Sequence, residues 1–411
     1  MLALALGSAL GQTWWIEQVD SAPWGRPMVR IERSAEHGFV IAYSDPAGGR
    51  MRVAWKDSVW EREEVLLPSV SPYVSFCAGT HDIASMAIAY SDTLGYLGVA
   101  EDSFGAWRYR PSRISMSGPL LVQDTSGRAI VYSALDGSSQ HMPLVRAIYS
   151  SVWLLDTVWI PQFYNYCEVF DAVVDARNTV SVLYKSVWTP APYLDLYIGK
   201  MTDTGWVETR IGGSQHSVVG PAAMALDTAG NMKACYYTND TYRPHEQRFR
   251  YSDAMVDTVA YACALEMDEL NRPFIVYTRP ELIFVYLDRG QWHRFSVPCT
   301  TSYIGKVDVV VDDGGQPLIA FSTATGVWLA RGDGIVTAVE EEHPMVMPQA
   351  AGATIVGRVL RVGEPSLLLN ASGRVLTELQ AGANDLSRVP AGVYFARGRS
   401  GVTPTKVVIT R

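Results

Sequence analysis

The chain has 411 residues, 48% apolar and 18% charged, the balance of a core-forming protein rather than a disordered one. Lys+Arg 34 against Asp+Glu 42 leaves a net charge of -8, which argues against a nucleic-acid binder, because such a protein needs a basic face to displace counterions from phosphates. No apolar run approaches the ~18 to 20 residues that span a bilayer as a helix.

Twelve Trp, 21 Tyr, 11 Phe and 34 Gly favour turn-rich β-structure over helices. The chain begins with Leu2 to Leu10, a short run of Leu, Ala, Gly and Ser. Ala9-Leu10-Gly11 then precedes Gln12 with a small-x-small pattern. This reads as the apolar core and cleavage region of a secretory signal peptide over residues 1–11, without a basic segment before it. A buried strand is the competing reading.

From about Asp20 to Glu340 one unit recurs. Apolar segments ending in an aromatic stand at intervals of roughly 41 to 52 residues: Val40–Tyr43, Ala87–Tyr90, Ala129–Tyr132, Ser181–Tyr184, Lys233–Tyr236, Phe274–Tyr277 and Leu318–Phe321. A turn with Asp124, Asp175, Asp227, Asp268 or Asp312 precedes five of them. In it Gly127, Asn178, Gly230, Asn271 or Gly314 supplies the positive φ of a tight hairpin. A third apolar segment follows each aromatic, then a strand with Trp60, Trp107, Trp153, Trp206 or Trp292; Met255 and Ile335 take the equivalent places elsewhere.

Each unit is therefore four short strands. Four-stranded units of ~40 to 50 residues are the pattern of a β-propeller blade. One such sheet cannot bury both faces alone, and a closed ring supplies the missing cover. The expected fold is all-β: a seven-bladed β-propeller over residues 12–340, with six blades as the alternative count. Trp14-Trp15-Ile16 resembles the tryptophan strand, so the N-terminus could complete the last blade; Ile335–Val339 competes for that place.

Residues 341–350 read as a linker, and 351–411 as a small β-sandwich with strands at Thr354–Val362, Ser366–Leu369, Val375–Leu379, Gly392–Arg397 and Lys406–Thr410. Here Leu367–Val375, with its Ser372-Gly373-Arg374 turn, Asn384–Ser387, Pro390–Arg397 and the closing Lys406–Arg411 occur in one order. That order resembles the C-terminal sorting domain of type IX secretion substrates. The resemblance implies the type IX secretion machinery as a partner, and an extracellular or outer-surface location on a diderm bacterium.

Chemistry is sparse. Cys77, Cys167, Cys235, Cys263 and Cys299 show no zinc-type spacing, so no metal site or other cofactor is expected, and one disulfide is possible in an oxidising compartment. The seven histidines are scattered, without a hydrolase elbow, P-loop or dinucleotide motif. The sialidase Asp-box, Ser-x-Asp-x-Gly-x-x-Trp, is not matched. The loops between second and third strands open on one face around the channel, and loops on rigid scaffolds carry function. Asp45, Asp92, Asp136, Trp188, Asp240 and Arg279 lie there as candidate binding residues, although Asp in such places also serves turn chemistry. The expected function is a non-enzymatic module binding a glycan, peptide or protein. A sialidase-like glycoside hydrolase and a structural surface spacer are the alternatives.

Overall fold

The computed structural model describes residues 4–409 except 8–12, 22–27, 35–36, 46–49, 57–58, 68–69, 79–85, 93–95, 103–106, 136–142, 150–151, 160–165, 189–192, 216, 241–247, 253, 300–303, 335–353, 357–358, 363–364, 371–373 and 399–404. The chain divides into two units, Met1–Thr337 and Ala338–Arg411. Among the described residues no helix is long and apolar enough to cross a membrane.

The first unit opens with β1 (Leu4–Gly7), paired antiparallel to β2 (Thr13–Asp20). Blade 1 is β3 (Val29–Ser34), β4 (Gly38–Asp45), β5 (Arg50–Lys56) and β6 (Trp60–Leu66). Blade 2 is β7 (Val70–Ala78), β8 (Met86–Asp92), β9 (Tyr96–Asp102) and the first half of β10 (Trp107–Gln123). The second half of β10 is the inner strand of blade 3, beside β11 (Ala129–Leu135), β12 (Leu144–Tyr149) and β13 (Trp153–Trp159). Gly118, at φ 65°, sits in the irregularity where β10 leaves one blade for the next. Blade 4 is β14 (Tyr166–Val174), β15 (Val180–Trp188), β16 (Tyr193–Thr202) and β17 (Gly205–Gln215). Blade 5 is β18 (Ser217–Leu226), β19 (Met232–Asp240), β20 (Arg248–Tyr251) and β21 (Ala254–Asp257). Blade 6 is β22 (Cys263–Met267), β23 (Pro273–Thr278), β24 (Leu282–Asp288) and β25 (Gln291–Val297). Blade 7 is β26 (Ile304–Val311), β27 (Pro317–Thr323) and β28 (Gly326–Asp333), with β2 as its outer strand.

The first strands of successive blades touch in order from β3 to β26, and β26 touches β3 in turn. The ring is therefore closed, with seven blades. The competition for the closing strand goes to the N-terminus: β2 pairs antiparallel with β28, from Thr13 opposite Asp333 to Asp20 opposite Val327. Trp14 is 5% exposed and meets the edge of Phe284 in blade 6 at a ring-centroid distance of 5.8 Å. Ile335–Val339 lies outside the described residues.

The repeated aromatics Tyr43, Tyr90, Tyr132, Tyr184, Tyr236, Tyr277 and Phe321 are all buried between blades. Their size dictates what faces them. A Cβ at Gly98 would stand 2.3 Å from the Tyr90 ring, so only glycine fits there. The turn aspartates act as the sequence suggests. Asp124 Oδ1 accepts the backbone N–H of Ser126 and of Arg128, both at 2.9 Å, and the other four repeat this pattern. The left-handed residue is the third after each Asp: Gly127, Asn178, Gly230, Asn271 and Gly315. In blade 7 this corrects Gly314 to Gly315, because the hairpin's hydrogen bond runs from the Gly315 N–H to the Asp312 carbonyl.

In the second unit β29 (Thr354–Val356), β31 (Ser366–Asn370), β32 (Val375–Leu379), β34 (Gly392–Gly398) and β35 (Thr405–Ile409) form one sheet; β30 (Val359–Val362) and β33 (Gly382–Asp385) form another. Leu360, Leu368, Leu379, Leu386, Tyr394, Val407 and Ile409 make its core. The single strand expected over Thr354–Val362 is two. Its halves pair with different partners, β35 and β33, so the chain must change sheet between them.

Candidate functional site

Within a propeller the innermost strand of each blade has no neighbour on its channel side, and backbone N–H groups there need other acceptors. Arg30, Ser75, Leu120, Asp171, Ala223, Ala264 and Asp308 occupy equivalent positions on the seven inner strands, opposite Ala42, Ala89, Tyr132, Leu183, Cys235, Val276 and Ala320. Three of the polar side chains answer that need in the same way. Asp308 Oδ2 accepts the Ile31 N–H at 3.0 Å, Ser75 Oγ the Leu121 N–H at 3.0 Å, and Asp171 Oδ2 the Met224 N–H at 2.8 Å. Each bond passes from one blade to the next.

Arg30 of blade 1 stands between the other two charges. Its guanidinium nitrogens lie 3.7 Å from Asp171 Oδ1 in blade 4 and 3.7 Å from Asp308 Oδ2 in blade 7. Burial works against the guanidinium charge, yet Asp308, Asp171 and Glu32 hold it well above its ordinary range. Two residues further along β3 and β22 come Glu32 and Glu266. Burial, then repulsion by Asp308, pushes the Glu32 carboxyl up to about 8 and the Glu266 carboxyl to about 7. Burial raises Asp308 to about 6 against the pull of Arg30, and Asp171 upward for the same reason. Near neutral pH the centre of the ring therefore retains protons on carboxyls that would be ionised in water.

Above this cluster lies a cavity of about 770 Å³, lined by inner strands of all seven blades. Arg30, Asp171 and Asp308 are in its wall, as are Glu168, Lys185, Lys306, Cys263 and Tyr261; Glu32 and Glu266 are not. Arg30, Glu168, Cys263 and Lys306 lie early on their inner strands and Lys185 late on the second strand β15, so the cavity is at the end of the ring where the second strands finish. Lys185 pairs with Glu168 at 2.5 Å. The Lys306 ammonium is lowered, first by burial and then by the like charge of Arg30, and among the described residues it makes no ion pair. Tyr261 is pinned by its backbone N–H to the Thr278 carbonyl at 2.9 Å, yet 68% of the residue is exposed.

Of the candidate rim residues, Asp45, Asp92, Trp188 and Asp240 are the last residues of β4, β8, β15 and β19; their side chains lie outside the described residues, as does the whole of Asp136. Arg279 follows β23 and is already engaged. Its guanidinium nitrogen lies 3.1 Å from each Asp257 carboxylate oxygen. Tyr277 donates to Asp257 at 2.7 Å and Arg294 at 2.9 Å. The same construction joins blade 7 to blade 1, where Asp20 accepts from Tyr43 at 2.8 Å and Arg52 at 2.6 Å. The sequence reading missed the channel cluster. A signal was there: Asp171 and Asp308 each stand four residues before a turn aspartate, Asp175 and Asp312, where a propeller strand should carry apolar residues.

No protein-family model and no curated protein matches the chain. Solved structures do. The chain is similar to a polysaccharide lyase, the PL25 ulvan lyase, with TM-score 0.54 and 9% identity over 76% of this chain and 94% of that one. The same lyase bound to -[GlcA(1-4)Rha3S]- gives TM-score 0.53 and 9% identity over the same shares. AofleA from Arthrobotrys oligospora is looser, with TM-score 0.45 and 12% identity over 72% of this chain and 93% of that one. At these identities the likeness is one of fold: an all-β chain built as a seven-bladed β-propeller with a small β-sandwich after it.

Proposed function

We propose that the propeller is an exported carbohydrate-binding module that takes a saccharide into the mouth of its channel without cleaving it. One observation carries this reading: an exposed aromatic, Tyr261, shares a cavity wall with Lys306, an ammonium that makes no ion pair among the described residues, and with the Arg30–Asp171–Asp308 group. A sugar ring offers an apolar face to stack on an aromatic and hydroxyls that both donate and accept. Asp171 and Asp308 already serve the neighbouring blades and Arg30, and Glu168 is paired with Lys185, which leaves the acids of the wall poorly placed to exchange protons with a substrate. The lyase of similar fold is named for a polysaccharide, which adds support at the level of fold alone.

A second reading, a glycan-cleaving enzyme, is favoured by the convergence of carboxyls raised toward neutrality. One experiment separates the two. The full chain is titrated with ulvan, arabinan and sialylated oligosaccharides, while reducing ends and ultraviolet absorbance of unsaturated uronate are followed. Binding to any of them that Tyr261→Ala weakens at least about tenfold, with no new ends, is the expected result. Turnover overturns it in favour of the enzyme, and silence in both leaves the surface spacer.

The second unit is proposed to direct export through type IX secretion machinery to the outer surface of a diderm bacterium. The resembling segments Leu367–Asn370, Val393–Arg397 and Lys406–Ile409 form adjacent strands of one sheet, and the Asn370 side-chain oxygen accepts the Arg374 N–H at 2.9 Å. A chain truncated after Thr337 should then stay inside the cell that makes it.

A further inference from the structure

The cavity wall is built by one local device repeated around the ring. In β10, β14, β18 and β26 the inner strand carries one residue more than the second strand beside it. The register slips between Ser117 and Leu120, Val169 and Asp171, Gly220 and Ala222, and Ile304 and Val307. Such a bulge takes a residue out of the ladder and re-aims its side chain. Pro119, Phe170, Pro221 and Lys306 lie within these slips, and all four line the cavity. In blades 1 and 6 the same place is marked by hydrogen bonds. The Met28 N–H donates to Ser44 Oγ at 3.0 Å as the Lys306 N–H donates to Ser322 Oγ at 2.9 Å, and the Thr278 N–H donates to the Ala262 carbonyl at 3.0 Å. Met28 and Ala262 stand two residues before Arg30 and Ala264, as Lys306 stands two before Asp308, and both are in the wall.

Five of these six side chains are apolar, and Lys306 is the one charge among them. It is exposed, and the space it lines is the cavity. The acids of the wall are committed elsewhere. Asp171 and Asp308 share Arg30 and accept backbone N–H groups, and Glu168 pairs with Lys185 at 2.5 Å. Lys306 makes no ion pair among the described residues. A ligand that fits this ring has an apolar face and one anionic group.

We propose that the saccharide bound in the channel is acidic, its carboxylate or sulfate held by the Lys306 ammonium and its apolar face set against the other members of the ring. This rests on the carbohydrate-binding reading and narrows it. Burial, then the like charge of Arg30, weighs against the Lys306 ammonium, and an anion beside it offsets both. A hydrogen bond between two charged groups is roughly twice as strong as a neutral one, so the acid has an advantage over the same sugar uncharged. An ammonium is a point charge without a planar fork, so it accepts carboxylate and sulfate alike.

The test is calorimetric titration of the full chain with two matched pairs. One pair is an oligogalacturonate and its uncharged methyl ester; the other is a sulfated galactan oligosaccharide and its desulfated form. In at least one pair the acid should bind about tenfold more tightly than its neutral partner, and the pair that shows it tells carboxylate from sulfate. The advantage should shrink as salt is raised from roughly 20 to 500 mM. Lys306→Gln should reduce it to within about twofold, and Lys306→Arg should keep most of it. Tyr261→Ala should weaken acid and neutral partner together and leave their ratio. Equal binding within both pairs overturns the acidic assignment and leaves the carbohydrate reading standing. An acid advantage that survives Lys306→Gln overturns the role of Lys306. No binding to any of the four overturns the acidic assignment together with the reading beneath it. The wild-type comparison within each pair decides even if a variant does not fold.

Discussion

At Asn271 the backbone stands at φ 60°, and the side-chain oxygen accepts the N–H of Thr228 in the preceding blade at 2.7 Å. Asn178 repeats this at φ 65°, bonding Thr125 at 2.9 Å. Glycine, at the same place in blades 3, 5 and 7, meets only the first demand. The residue type therefore encodes an interblade tie that the hairpin alone does not require. The two demands can be separated. Asn271→Gly keeps the turn and loses the tie, at about 1 kcal/mol. Asn271→Ala loses the tie and adds the cost of a Cβ in the left-handed region, about 1 kcal/mol more. Urea unfolding of the two variants should rank alanine below glycine; equal losses would mean that the strain is absent.

Among the elements, β2 has the largest consequence for its length. It brings eight residues from the start of the chain to the outer edge of blade 7, so the ring is fastened by strands from both ends of the unit. β10 does the opposite, running 17 residues without interruption from the outside of one blade to the inside of the next. Trp14 anchors the fastening strand. Trp14→Ala removes a buried ring that packs on Phe284 and should destabilise by about 3 to 5 kcal/mol. Differential scanning calorimetry should show a lower midpoint, and proteolysis should cut first near residues 12 to 21. The alternative, a wild-type midpoint, would mean that the hairpin hydrogen bonds of β2 suffice.

The whole ring surrounds a cluster whose ionisation sets a pH dependence. Glu32, Glu266 and Asp308 titrate near 8, 7 and 6 when folded, against ordinary values of 4.5, 4.5 and 3.8. Between those limits the folded chain binds more protons than the unfolded one. Stability therefore falls as pH rises from about 4 to 8, by about 1.4 kcal/mol per pH unit for each extra proton held. At the acid end Asp20 and Asp257 act in the opposite sense: burial raises them, but hydrogen bonds from Tyr43 and Tyr277 and the nearby arginines lower them further, so their contribution is lost as pH drops below about 4. The urea midpoint should thus be highest near pH 4 and decline toward pH 8. Arg30→Met should steepen the decline, because Asp171 and Asp308 lose their shared positive neighbour, and much of its deficit should vanish at pH 5. A midpoint that is flat or climbs over this range contradicts the raised carboxyls.

The four-strand period, the seven aromatic strands and the aspartate turns were legible from the chain alone, since they depend on alternation, turn chemistry and the size of aromatic side chains, all local properties. The left-handed position was readable to within one residue, and missed in blade 7 because Gly314 and Gly315 are equally permissive as residues. Which segment closes the ring was undecided: Trp14–Ile16 and Ile335–Val339 carry similar patterns, and only pairing with β28 distinguishes them. The channel cluster was invisible for a related reason. Arg30, Asp171 and Asp308 are separated by well over a hundred residues and look like ordinary strand charges until the closed ring brings Arg30 of blade 1 within reach of Asp171 in blade 4 and Asp308 in blade 7. Local periodicity fixes what each blade is. The meeting of side chains at the axis depends on how seven blades are arranged around it, and that arrangement is a property of the closed ring.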